Sequence, residues 1–203
     1  MYVPLLDRLL YRHPFEGQSA RRYARDERPA FGDLDDRLLD SLAIDPGGRL
    51  LDLGCGPGTF ARAAALRHPG LTVVAIDPSR DFVHPGMLRA RGEELPLADA
   101  SIDLAICLSS IRHVRDRRTT LGELRRVVRG RVVIVELDPA ADRTRIAAHA
   151  DRLPAMLRRL FGPLVVRTAP PAHTIAALAA EAGFAHCELR SDPIQPVYIM
   201  ELR

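Results

Sequence analysis

Three glycines separated by single residues, Gly54, Gly56 and Gly58, follow the apolar run Arg49-Leu50-Leu51-Asp52-Leu53 and precede the helix-forming stretch Phe60–His68. Glycine has no Cβ and tolerates positive φ, so a strand–turn–helix of this kind lets a ligand lie close to the backbone and beside a helix N-terminus. Further on, Asp77 ends the β-branched run Leu71 to Ile76, where an acid can take both hydroxyls of a ribose. The glycines alone fit any tight α/β turn. With the acid in place they point to a nucleoside-bearing ligand.

Spacing then separates two ligand classes. The dinucleotide fingerprint G-x-G-x-x-G uses its third glycine for close helix–strand packing and sets a pyrophosphate on the helix. Here the pattern is G-x-G-x-G, with Phe60 and Ala61 where that third glycine would fall. Asp52, separated from Gly54 only by Leu53, suits a ligand carrying an ammonium and a sulfonium better than one carrying two phosphates. Composition excludes further chemistry. All 29 basic residues are Arg, and there is no Lys, Asn or Trp. GC-rich coding is the simplest source of that bias. It still removes Schiff-base catalysis, a pyridoxal anchor, a phosphate-loop lysine and a Tyr–Lys dehydrogenase pair.

Acid–base work falls to other groups. His113, just past the strand-like Ile102–Leu108, has an ordinary pKa of about 6.5 and suits base catalysis near neutrality. It equally suits a turn histidine that bonds the backbone or Asp116. Glu136 and Asp138 end the apolar run Val132–Leu137 and form a secondary candidate pair. Tyr11, Phe15 and Tyr23 could stack on a substrate ring or simply anchor the N-terminal segment. Arg21, Arg22 and Arg112 could pair an acidic substrate or be solvated. His84, His149, His173, His186 and the three cysteines lack ligand spacing, so no metal is expected.

The elements that must hold these residues alternate between strand-like and helix-like, the pattern of an α/β domain with a mostly parallel sheet. Asp33 or Asp35 can cap a helix carrying Leu34, Leu38, Leu39 and Leu42, which stops at Asp45-Pro46-Gly47-Gly48. Thr59 can cap the next. Met87–Arg91 reads as a short third strand, Thr119–Val128 as a helix, and Ala- and Arg-rich helix runs from Pro139 through Phe161. A helix His173–Ala182 and two strands, Cys187–Arg190 and Pro196–Leu202, close the chain. At 203 residues, 47% apolar and 27% charged, one self-sufficient domain is expected. The net charge of +3 comes from interspersed signs, and aromatics are too few for a nucleic-acid groove. Cysteine usage and the lack of a signal or spanning segment fit a cytoplasmic protein with a small-molecule substrate, no membrane partner, and a homodimer left open.

Leu50 through Phe60 resembles motif I of the class I S-adenosylmethionine-dependent methyltransferases, and Val74-Ala75-Ile76-Asp77-Pro78-Ser79 resembles their second motif. Gly92-Glu93-Glu94-Leu95-Pro96-Leu97, then Ser101-Ile102-Asp103-Leu104, is similar to a stretch of the subgroup that includes quinone C-methyltransferases and many small-molecule methyltransferases. Ile111-Arg112-His113-Val114-Arg115-Asp116 resembles that subgroup's His-Val-x-Asp turn, and Leu124–Val128 its helix end. The resemblance runs in order from Gly48 to Pro139.

It implies a Rossmann-like, mostly parallel seven-stranded sheet with an antiparallel last strand, helices on both faces and an N-terminal helical lid. Residues 1–32 would form the lid, 48–139 the cofactor-binding core and 140–172 a cap with an apolar wall of Leu153, Met156, Leu157, Leu160 and Phe161. S-adenosyl-L-methionine would lie against Asp52, Gly54, Cys55, Gly56, Gly58, Asp77, Pro78, Gly92, Glu93, Cys107 and Leu108. Tyr11, Tyr23 and Arg112 are the candidate substrate contacts and His113 the candidate catalytic residue, for methyl transfer to a small organic molecule in secondary-metabolite or quinone-like chemistry. The competing readings are a protein of this fold that binds the cofactor without methyl transfer, and an NAD(P)-dependent oxidoreductase. The chain departs from the family pattern in three places. Arg91 replaces the aspartate that accepts from the adenine amino group, the connection from Asp77 to Glu93 is short, and Arg129-Gly130 stands for a usual Pro-Gly-Gly.

Overall fold

The computed structural model describes residues 16–82 and 86–203. The strands are β1 (Arg49–Leu53), β2 (Thr72–Ile76), β3 (Met87–Leu88), β4 (Ile102–Leu108), β5 (Val128–Leu137), β6 (Cys187–Ser191) and β7 (Val197–Leu202). They form one sheet in the order β3-β2-β1-β4-β5-β7-β6. The first five are parallel, and β7 runs antiparallel between β5 and β6. Among the described residues the α-helices are α1 (Gln18–Arg22), α2 (Leu34–Ser41), α3 (Thr59–Arg67), α4 (Arg117–Val127), α5 (Arg143–Ala150), α6 (Ala155–Leu160) and α7 (Ala172–Glu181).

Alternation along the strands splits the core in two. Leu50, Leu104, Ile106, Val133 and Ile199 pack beneath α2 and α3 with Leu34, Leu38, Phe60 and Ala64. Leu51, Ala105, Cys107, Ile134 and Met200 pack on the other face, beneath α4 and α7, with Leu121, Leu124, Ile175 and Ala179. Strands covered on both faces need apolar residues on both, which is why Leu104–Leu108 of β4 and Val132–Val135 of β5 read as unbroken apolar runs. Each fully buried Leu there contributes about 1.5–3 kcal/mol.

Several boundaries differ from the expected ones. Thr59 is the first residue of α3, and Gly58 occupies the cap position in a left-handed conformation. Asp33 precedes α2 without a capping bond and instead pairs with Arg37 at 3.0 Å, while Asp35 pairs with Arg28. Asp116 caps α4, accepting from the backbone N–H of Arg118 and Thr119. β5 begins four residues earlier than expected, because Gly130 lies flush on the Asp103 carbonyl, 2.0 Å from where a Cβ would stand. β3 is cut to two residues.

The connection from β1 leads to β2 on one side and that from β4 to β5 on the other. Their carboxyl ends therefore diverge, and a crevice opens where open α/β sheets place ligands.

Candidate active site

The glycine turn forms one wall of that crevice. Gly54, Gly56 and Gly58 have φ of 73°, 53° and 73°. The N–H groups of Gly54 and Cys55 both donate to the Ile76 carbonyl, at 2.7 and 3.1 Å, which bends the chain over the end of β2. Asp77 completes the fastening. Its Oδ2 accepts from Gly56 N–H at 2.9 Å and its Oδ1 from Ser79 N–H at 2.8 Å. A Cβ on Gly54 would stand 2.3 Å from the Ser110 Cβ, and one on Gly56 would stand 3.7 Å from the Tyr23 ring and 3.8 Å from Phe82.

The opposite wall is the loop after β4. Cys107, Leu108, Ser109, Ser110, Ile111 and His113 line the cleft. The empty space between the walls, counted with the open space at its mouth, is about 800 Å³. Tyr23 and Phe82, ring centroids 6.3 Å apart, close one end. Ser109 adopts a φ of 51°, uncommon for a residue with a Cβ. Its Oγ is buried and has no hydrogen-bond partner among the described residues. Ser110 Oγ, by contrast, donates to the Leu53 carbonyl at 2.6 Å and ties the two walls together.

Burial sets the electrostatics. Asp52 lies beneath the turn with Oδ2 unpartnered among the described residues. Desolvation pushes its carboxyl up to about 7, opposed by the Arg28 guanidinium and reinforced by Asp35. Asp77 is also raised by burial, and its two backbone donors pull it back. His113 is held well below its ordinary value by burial and then by the charges of Arg112 and Arg117, so its imidazole is neutral at physiological pH. The His113 backbone N–H donates to the Ser110 carbonyl at 2.9 Å. Burial pushes the Tyr23 phenol up to about 12 and the Cys107 thiol up to about 12, so both stay protonated.

Ten of the expected site residues line one cleft: Tyr23, Gly54, Gly56, Asp77, Pro78, Gly92, Glu93, Cys107, Leu108 and His113. Others sit elsewhere. Asp52, Cys55 and Gly58 are not among the lining residues. The Glu93 carboxylate accepts from the N–H groups of Arg115 and Asp116, at 2.6 and 3.0 Å, and so braces the two sides of the cleft. Arg112 points away from it. Its guanidinium donates to the Val165 carbonyl and to Thr168 Oγ1, both at 3.1 Å, and lies 3.9 Å from the buried Glu136 carboxylate. Leu153 packs in the core beneath α2, and no described lining residue comes from 140–172. Tyr11, Phe15, His84 and the side chains of Met156, Leu157, Leu160 and Phe161 lie outside the described residues. Sequence reasoning missed Phe82 and Ser109. A Ser-Ser pair directly after an apolar parallel strand was the available signal for the second.

These residues fit an adenosine-bearing cation. The turn leaves no room for a Cβ at Gly54, Pro78 and Phe82 supply apolar surface next to Asp77, and behind the turn lies a buried acid with one oxygen unpartnered among the described residues. The family profile described as "Methyltransferase domain" matches residues 51–135, the span that contains both walls. A 37.1 kDa protein of transposon Tn4556 from Streptomyces fradiae is 35% identical over 162 residues, 73% of this chain and 46% of its own length. The ubiquinone/menaquinone biosynthesis C-methyltransferase UbiE of Syntrophotalea carbinolica is 32% identical over 148 residues, 57% of this chain and 62% of its own. The chain thus spans about half the length of the curated relatives it matches. The solved structure of a SAM-dependent methyltransferase from Aquifex aeolicus superposes with a TM-score of 0.60 at 15% identity, covering 100% of this chain and 97% of that one. The chain is thus similar to methyltransferases over residues 51–135, and its fold is that of the solved methyltransferase from Aquifex aeolicus.

Proposed function

We propose that the chain transfers a methyl group from S-adenosylmethionine to a small organic acceptor, with a flat, quinone-like or phenolic molecule as the first class to test. The observation that carries this reading is the Asp77 latch. One carboxylate fixes the glycine turn through Gly56 and stands in the same cleft as Pro78 and Phe82, as a ribose-and-adenine site requires. When bound, S-adenosylmethionine supplies an electrophilic methyl on a sulfonium. Gly54 and Gly56 would hold its methionyl and ribose portions, Asp77 the ribose hydroxyls, Pro78 and Phe82 the adenine, and the Cys107–Leu108 backbone the amino-acid end.

The protein's contribution is placement and dryness. Tyr23, Phe82, Ile111 and Val114 exclude water and offer ring and aliphatic surface to a flat acceptor. Displacement at a sulfonium gains most from such near-attack positioning. Neutral His113 can accept a hydrogen bond from an acceptor hydroxyl and fix its lone pair toward the methyl. Because its pKa lies well below 6.5, the acid limb of kcat should fall below pH 6.5, and a limb centred at or above 6.5 removes His113 from the proton path.

Calorimetry tests the cofactor assignment. Micromolar binding of S-adenosylhomocysteine, no binding of NAD, and loss of binding in Asp77→Ala are expected. An Asp77→Ala protein that binds like the wild type sinks the assignment. Release of S-adenosylhomocysteine on a panel of phenols and quinones tests transfer, and cofactor binding without such release on any acceptor favours the non-methylating reading.

A further inference from the structure

The sheet ends at β6, and all five of its residues are exposed. Its inner edge is occupied. His186 and Arg203 exchange backbone bonds at 3.0 and 3.1 Å, and Asp192 N–H donates to the Val197 carbonyl at 3.0 Å. With partners running from Cys187↔Leu202 to Ser191↔Tyr198, alternation along an antiparallel ladder turns the N–H and C=O of Glu188 and Arg190 toward β7. The same alternation turns those of Cys187, Leu189 and Ser191 outward. No described strand receives them.

Side chains divide the same way. Glu188 and Arg190 lie on one face, and Cys187, Leu189 and Ser191 on the other. Leu189 is 53% exposed, one of the few large apolar side chains in solvent among the described residues. Arg190 touches Ser41 Oγ at 3.4 Å, and neither it nor Glu188 forms an ion pair among the described residues.

Open edges are usually guarded by charges that repel a second strand. This edge carries charges that complement a copy of themselves. In an antiparallel pair centred on Leu189, each Glu188 faces Arg190 of the second copy, Leu189 faces Leu189, and Cys187 faces Ser191. The outward backbone groups of Cys187, Leu189 and Ser191 then bond one another in register. Moving the two-fold axis by one residue to Glu188 or to Arg190 sets like charges opposite each other and points the wrong backbone groups across the gap. We propose that β6 pairs with β6 of a second copy of this chain, antiparallel about Leu189, and so joins two seven-stranded sheets into one. A pairing five residues long buries little area, so it should be a concentration-dependent dimer and not an obligate one.

Sedimentation velocity over a rising concentration series tests it. The wild-type chain should move from the mass of one copy toward that of two. Leu189→Pro removes an outward N–H and no bond to β7, a substitution that edge strands accept; it should stay at the mass of one copy. Glu188→Arg and Arg190→Glu should each stay at that mass alone and form a dimer when mixed in equal amounts. The double variant Glu188→Arg/Arg190→Glu should regain the dimer by itself. Should Leu189→Pro fail to fold, the charge variants leave the backbone intact and decide the matter. A wild-type chain that stays single at millimolar concentration overturns the pairing, as do single charge variants that dimerise like the wild type.

Discussion

The two loops that face each other across the cleft solve the same positional problem with opposite means. The turn after β1 uses backbone: three glycines at positive φ, held by the Ile76 carbonyl and the Asp77 carboxylate. The loop after β4 uses side chains: Ser110 bonds across to Leu53, Arg112 reaches away to Val165 and Thr168, and His113 stays in the cleft. A backbone wall contours a ligand part that never varies. A side-chain wall can change with few substitutions and suits the variable partner. On the proposed function, cofactor and acceptor would divide between glycine geometry and residue identity.

The largest effect should come from putting a side chain into the backbone wall. Gly54→Ala sets a Cβ 2.3 Å from the Ser110 Cβ at a φ of 73°. Neither wall can yield, because Ser110 is bonded to Leu53 directly beneath the turn. A loss of about 3 kcal/mol or more is expected, with S-adenosylhomocysteine binding abolished in calorimetry. Adding Ser110→Gly should recover most of the melting temperature and leave the residual strain of a left-handed alanine, about 1 kcal/mol. Wild-type binding by Gly54→Ala would break the contrast between the walls.

That contrast also explains what could be read from the chain. A glycine turn is legible because the residue type is itself the geometric requirement, and the acid after β2 follows from local alternation. The parallel strands are legible because burial on both faces writes apolar runs. Arg112 was not. Its partners Val165, Thr168 and Glu136 are brought to it only by the tertiary fold, and local sequence favoured a substrate contact or a solvated surface. Ser109 hid for another reason: a left-handed serine leaves no mark in composition. β5 starts ahead of the apolar run Val132–Leu137, because close approach to the Asp103 carbonyl requires Gly130 within the strand and nothing in the local sequence marks that contact.

Arg112→Met should rank next. Glu136 is fully buried, raised by desolvation and lowered first by Arg112. Removing the guanidinium leaves a buried carboxylate that must ionise alone or stay protonated, a loss of about 3–5 kcal/mol. A folded-state pKa above the unfolded value means that stability is lost as pH rises through it, and without Arg112 that loss deepens. Denaturant unfolding should therefore show a larger deficit at pH 8 than at pH 5, and Glu136→Gln in the same chain should remove most of the difference. S-adenosylhomocysteine binding should survive, since Arg112 does not line the cleft. A wild-type unfolding curve with weakened acceptor turnover would return Arg112 to the substrate.

Asp52→Asn tests the charge behind the backbone wall, and its two effects oppose each other. With its carboxyl raised to about 7, Asp52 contributes stability when protonated and loses it as pH climbs through 7. The amide should therefore raise the unfolding free energy at pH 8, by at most about 4 kcal/mol for a shift of this size. Binding of S-adenosylmethionine should weaken by roughly tenfold, the equivalent of one unit of pKa drawn down by a bound cation. The wild-type affinity should itself fall as pH drops below 7, and the variant's should not. A variant that is less stable at pH 8 would place a hydrogen-bond partner on Oδ2.

The smallest effects belong to the two adjacent serines, which divide the roles of the side-chain wall between them. Ser110→Ala removes the hydroxyl that bonds Leu53 across the cleft, and should cost about 1 kcal/mol of stability. Ser109→Ala removes a buried hydroxyl that bonds nothing described; the folded chain should be unchanged within about 0.5 kcal/mol. Ser109→Gly should stabilise by up to about 1 kcal/mol, because glycine accepts the φ of 51° without strain. If that hydroxyl is kept for the acceptor, both Ser109 variants should raise KM for the acceptor several-fold and leave S-adenosylhomocysteine affinity untouched. Ser110→Ala should do the reverse, loosening the cofactor wall through Leu53 with little change in acceptor KM. Identical profiles for the two serines would mean that the wall after β4 does not separate cofactor from acceptor, and that the strained hydroxyl of Ser109 serves the fold alone.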